Sequence, residues 1–267
     1  GSADTYFIPA ELPVHTFIDT QIIAESPDEY FWAGIGDAFS KGPEVELSSR
    51  EVELLHSPLM GRALAAGACI EPLFDNAEQA LADKRAGIVS EAFENVVLNI
   101  IITAGVVSNM TTNIGAERGA YYFNSSTAHA FYNAFTALGE RGEKHLHGEV
   151  VSFGTCVLYA FDGNLKALED QVALNRKLGL PTTLADLDIT PESVDADLDI
   201  IVERAQKTNE WGRAPYGFTT DRFRQAILDT DAYGRAVASG EKDQEAAALD
   251  VIAAHAPSAE TAVPRKM

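Results

Sequence analysis

The sequence predicts a mainly α protein, a helical domain preceded by one or two strands that close the edge of a sheet domain. Three observations carry this. Strand material is confined to the start, where Val14-His15-Thr16-Phe17-Ile18-Asp19 is short, β-branched and aromatic after Pro13, with Tyr6-Phe7-Ile8 as a second candidate. From Ser26 onward, helix starts and stops recur while strand signals nearly vanish. An isolated strand pair is marginal by itself, so residues 1–25 are expected to be the last strands of an α/β domain, and residues 26–267 a helical domain.

The elements follow in order. Ser26-Pro27-Asp28-Glu29 combines a cap residue, a first-turn Pro and a Glu three after the cap, opening a helix through Phe31, Trp32, Ile35 and Phe39. Ser48 or Ser49 is expected to open the next, carrying Val52, Leu55 and Leu59 with a kink at Pro58, and Asp75 or Asn76 a short one to Lys84. The segment Ile88 to Met110 is apolar on most faces and is expected to be a buried central helix. Helices are predicted over Asn124–Leu138, Gly148–Phe161 and Asn164–Leu178, the last stopped by Gly179-Leu180-Pro181. Thr190-Pro191-Glu192-Ser193 and Thr219 or Thr220 open two more, and the Ala- and Glu-rich end is a weak helix with a frayed tail.

Composition narrows the function. Forty acidic against twenty basic residues leave a formal charge of −20, which repels phosphate backbones and anionic lipid, so neither nucleic acid nor a membrane surface is an expected partner. The longest apolar run, Val96 to Val107, is interrupted by Asn99 and Thr103 and falls short of a bilayer span of ~20 residues. Cys69 and Cys156 stand far apart in apolar runs and are expected to be buried free thiols. No leader is visible at Gly1-Ser2-Ala3, so the expected compartment is the cytoplasm.

Two places offer chemistry. Gly34-Ile35-Gly36-Asp37 puts two glycines inside a helix, at a cost of up to about 1 kcal/mol each. A close approach by another backbone or a ligand would account for the pair, and so would packing alone. His129-Ala-Phe-Tyr-Asn133 and His145-Leu-His147-Gly148-Glu149 form the second cluster. One Asp and two His on rigid helices, Asp37, His129 and His147, make three protein ligands with an open fourth position, the pattern of a catalytic zinc or non-haem iron site. Asn133 and Glu149 are candidates to orient the imidazoles. His145, two residues from His147, should point elsewhere as a surface residue, and His15, His56 and His255 are read as structural. There is no Gly-x-Ser-x-Gly elbow, no P-loop and no Gly-x-Gly-x-x-Gly after a strand, so no cofactor-binding residue for NAD is expected in this chain.

The stretch from His129 to Leu158 resembles the iron-containing (group III metal-dependent) alcohol dehydrogenases, and most of all their glycerol dehydrogenase branch. Phe17-Ile-Asp-Thr-Gln-Ile-Ile-Ala, Ala33-Gly-Ile-Gly-Asp-Ala, Leu178-Gly-Leu-Pro and Asp231-Ala-Tyr-Gly agree with it. The resemblance implies an enzyme with an N-terminal α/β half that binds NAD or NADP and a C-terminal helical half that holds a divalent metal, zinc or iron. By it, Asp37, His129 and His147 are the metal ligands and catalytic centre, the substrate is a small alcohol or polyol, and the protein is a homo-oligomer. The Asp at position 37 favours the dehydrogenases over the dehydroquinate synthases, which have Glu there. Tyr132 stands where the glycerol branch usually has a second His, and Tyr121-Tyr-Phe-Asn-Ser-Ser-Thr127 replaces a Gly-rich approach. The alternatives are a non-catalytic metal-binding assembly module and a dehydroquinate-synthase-like enzyme.

Overall fold

Helices form nearly all the regular structure of the computed structural model, which describes residues 14–114, 120–257 and 265–266. In chain order they are α1 (Thr20–Glu25), α2 (Asp28–Ala38), α3 (Lys41–Ser49), α4 (Ser57–Ala66), α5 (Glu71–Arg85), α6 (Glu91–Leu98), α7 (Ala104–Met110), α8 (Thr127–Phe135), α9 (Glu140–Lys144), α10 (His147–Asp162), α11 (Leu165–Leu178), α12 (Val194–Ala205), α13 (Thr220–Ser239) and α14 (Lys242–His255). The strands among the described residues are two-residue pieces. Val52–Glu53 runs parallel to Arg265–Lys266, and Thr112–Asn113 pairs antiparallel with Tyr121–Tyr122.

The expected start is corrected in part. Tyr6-Phe7-Ile8 lies outside the described residues. Val14–Asp19 forms no strand: it has no partner strand among the described residues, and Val14 and Phe17 are more than nine-tenths exposed. Asp19 instead caps α1, its Oδ1 accepting from the backbone N–H of Gln21 at 3.0 Å. Ser26 closes this short helix by donating to the Ile23 carbonyl at 2.7 Å, so α2 opens behind Pro27.

Three further helices depart from expectation, the first being α5, which opens at Glu71 rather than at Asp75 or Asn76. Ser48 and Ser49 end α3 rather than opening a helix, their hydroxyls donating to the carbonyls of Phe123 at 2.7 Å and Val45 at 2.6 Å. Left-handed backbone at Glu51 (φ 58°) and His56 (φ 46°) then breaks the chain before α4, where Pro58 sits in the first turn and kinks nothing. The segment from 91 to 110 is one continuous helix with a π turn at Asn99–Thr103, long and apolar enough by composition to cross a membrane. It is not the buried centre. Phe93, Val96 and Val97 pack inward, whereas Leu98, Ile101 and Ile102 are over a third exposed.

The central helix is α10, buried continuously from Val150 to Phe161. On one side Phe131, Phe135, Phe153, Phe161 and Phe223 join α8, α10, α12 and α13 into the larger core. On the other, Phe31, Phe39, Leu73, Phe93 and Leu178 join α2, α5, α6 and α11. Expected punctuation holds around it. Asn164 accepts from Ala167 N–H at 3.3 Å to start α11, and Gly179 at φ 73° ends it. Cys69 and Cys156 are free and buried.

One polar tie at the edge of the larger core is testable. Arg141 of α9 makes a bidentate pair with Asp197 of α12, whose side chain is 4% exposed. Burial would raise the Asp197 pKa, but its bonds to Arg141 and Ser193 win and hold it below the usual carboxylate value. A lowered folded pKa contributes stability above pH ~4 that is lost as pH falls through the folded value. Arg141→Met should therefore cost about 2 kcal/mol at pH 7, with the difference from wild type shrinking by pH 3, as read by urea unfolding. A penalty independent of pH would contradict the assignment.

Candidate metal centre

Two glycines set the geometry. A Cβ on Gly148 would lie 1.8 Å from the Ala33 carbonyl and one on Gly36 2.4 Å from the Gly148 carbonyl, so α2 and α10 cross backbone to backbone. The glycine pair in α2 thus splits: Gly36 serves this crossing, while a Cβ on Gly34 would make ordinary contact with Ile100. The crossing brings Asp37, near the end of α2, against His147, the first residue of α10. His147 Nε2 lies 3.2 Å from Asp37 Oδ1. From α8, His129 Nε2 approaches the same oxygen at 3.5 Å. One ligand atom from each of the three residues lies within 4.8 Å of the others.

The set is walled on one side and open on the other. His129 is largely buried, whereas the side chains of Asp37 and His147 are each 44% exposed. The Tyr132 ring meets the His147 ring edge-on with centroids 4.1 Å apart, so the residue in place of a second His lines the centre. The α10 N-terminus adds partial positive charge beside Asp37. Burial works to raise the Asp37 pKa, but the hydrogen bond from His147, the two imidazoles and Lys41 outweigh it and hold the carboxyl well below its usual range.

The residue that fixes His129 is not one that the sequence alone singles out. Glu44 of α3 is fully buried, and its Oε2 lies 2.6 Å from His129 Nδ1. Burial disfavours charge on both, yet their mutual attraction and hydrogen bond lower the Glu44 pKa and raise that of His129. The signal was faint: Glu44 lies seven residues past Asp37, across a break at Phe39-Ser40 where helical period lapses.

Expected orienting residues are corrected. Glu149 accepts from Leu146 N–H at 3.0 Å and from His145 Nδ1 at 2.8 Å, so it caps α10 and grips His145 rather than a site imidazole. No described hydrogen bond links Asn133 to His129 or His147. His145 points away from the centre as expected, but its side chain is buried, its Nε2 3.2 Å from Asp188 Oδ2 and its ring against Phe135. His255 pairs with Asp229 at 2.8 Å, a structural contact.

The described chain is a helical domain whose α2, α8 and α10 converge on an Asp and two His, and the same architecture occurs in solved dehydrogenases. It superposes on a probable glycerol dehydrogenase from Sinorhizobium meliloti with TM-score 0.70 at 28% identity, covering 82% of this chain and 59% of that one. The glycerol dehydrogenase structure from Schizosaccharomyces pombe gives TM-score 0.70 at 28% identity, over 84% of this chain and 55% of that one. In sequence, a glycerol dehydrogenase of Escherichia coli is 31% identical over 240 residues, 88% of this chain and 62% of the relative. No family model matches the chain. The chain is similar in both sequence and fold to glycerol dehydrogenases. It spans about three fifths of the length of the curated relatives it matches.

Proposed function

We propose that this chain is the metal-binding helical half of an NAD-linked polyol dehydrogenase acting on a glycerol-like alcohol. The convergence of Asp37, His129 and His147 from three helices, open to solvent on one side, carries the reading. The donor set fits: one carboxylate oxygen and two imidazole nitrogens suit zinc or ferrous iron and leave room for a further ligand. A metal held there supplies Lewis acidity toward a substrate hydroxyl. Asp37 brings the negative charge, and its low pKa keeps it ionised and ready to ligate. His129 contributes a nitrogen whose ring is pinned from behind by Glu44, and His147 contributes one from the solvent-exposed side of the centre. Tyr132 lies against the His147 ring, beside the place a small alcohol would take. NAD as hydride acceptor belongs to the nucleotide-binding half of the enzyme, which residues 1–25 would join to the metal-binding domain of residues 26–267.

The curated relatives named glycerol dehydrogenase support the polyol class, and Asp at position 37 supports a dehydrogenase over a dehydroquinate-synthase-like reaction. A cytoplasmic homo-oligomer completes the proposal. It is tested by equilibrating the purified chain with zinc or ferrous iron, removing the excess and measuring bound metal. One equivalent per chain is expected, and a chain that retains none would overturn the reading.

A further inference from the structure

We propose that Glu44 is a positioning residue that sets both the place and the tautomer of the His129 imidazole, a reading that rests on the metal centre proposed above. Ser126 stands at the N-cap of α8, but its own side chain makes no capping bond and its hydroxyl has no partner among the described residues. Glu44 does that work from another helix: its Oε1 accepts from the backbone N–H of Ser126 at 2.8 Å and of His129 at 3.0 Å. The N–H of His129 is the one an N-cap side chain ordinarily satisfies, three residues into the turn. The other oxygen, Oε2, lies 2.6 Å from His129 Nδ1. One fully buried carboxylate therefore holds the start of α8 and the ring that α8 carries.

The chemistry follows from the acceptor-only character of an ionised carboxylate. Nδ1 must keep its proton to donate to Glu44, which leaves the Nε2 lone pair, on the side of Asp37 and His147, as the ligand. The amide of a glutamine at this position has the same shape but offers a donor as well as an acceptor. An amide N–H turned toward Nδ1 would reverse the tautomer and put the proton on Nε2, where a ligand lone pair is needed.

Zinc affinity of the chain, measured by competition with a chromophoric chelator, should fall 10–100-fold in Glu44→Gln. In a His129→Ala background the same substitution should change affinity less than twofold, because Glu44 acts through that ring. Nitrogen-15 spectra of the zinc-loaded wild type should show His129 protonated at Nδ1, a readout that does not depend on any variant folding. Affinity within twofold of wild type in Glu44→Gln, an equal loss in both backgrounds, or His129 protonated at Nε2 would each overturn the role of Glu44. Absence of zinc binding by the wild type would instead overturn the metal centre itself.

Discussion

Gly148→Ala should destabilise the protein by about 3 kcal/mol or more and weaken metal binding with it. The added Cβ would sit 1.8 Å from the Ala33 carbonyl and 2.9 Å from the Asp37 backbone nitrogen, all rigid backbone, so it cannot be relieved by turning a side chain. The two helices must separate, and they carry Asp37 and His147 apart as they do. Gly105→Ala is the matched control: it lies inside α7, and a Cβ there meets nothing within 4 Å. That change should be neutral or stabilising by up to about 1 kcal/mol, since alanine favours the helix. Urea unfolding midpoints decide it, and equal midpoints for the two variants would contradict the close crossing.

Removing an imidazole should cost more in metal affinity than removing the group behind it. His129→Ala and His147→Ala are each expected to weaken binding by more than about 100-fold, beyond the 10–100-fold that an orienting partner contributes. Their stabilities should separate. His147 is 44% exposed, so its loss should move metal-free stability by less than about 0.5 kcal/mol. His129 faces the buried Glu44, and its removal leaves Oε2 without a donor, at about 2–3 kcal/mol. Calorimetric metal titration and urea unfolding of the same two variants measure both quantities. Undiminished affinity in either variant would remove that residue from the site.

What could be read from sequence was local. Caps such as Asn164 and Thr219, the Gly179 stop and the apolar run of α10 all report on their own turn of chain, and they placed helices closely. Asp37, His129 and His147 stand out by ligand chemistry on helices and by the family resemblance, and the structure brings the three side chains together. Other features depend on distant partners. Val14–Asp19 has β-branched composition but no neighbouring strand to pair with among the described residues. The Ile88–Met110 segment is apolar enough for a core, yet α10 occupies the centre and leaves one face of it exposed. Glu44 escaped because a buried carboxylate is made tolerable by a histidine 85 positions away, and nothing in its own neighbourhood records that. Glu149, by contrast, was misassigned through proximity: it lies two residues from His147 but turns back to cap its own helix.

The identity of the atoms around the metal bears most directly on the account. Zinc K-edge X-ray absorption on the loaded chain should show a shell of nitrogen and oxygen only, with the multiple-scattering pattern of two imidazoles and a remainder of carboxylate and solvent oxygen. A sulfur shell, which would place the ion at Cys69 or Cys156, or a shell with fewer than two imidazoles, would contradict the centre formed by Asp37, His129 and His147.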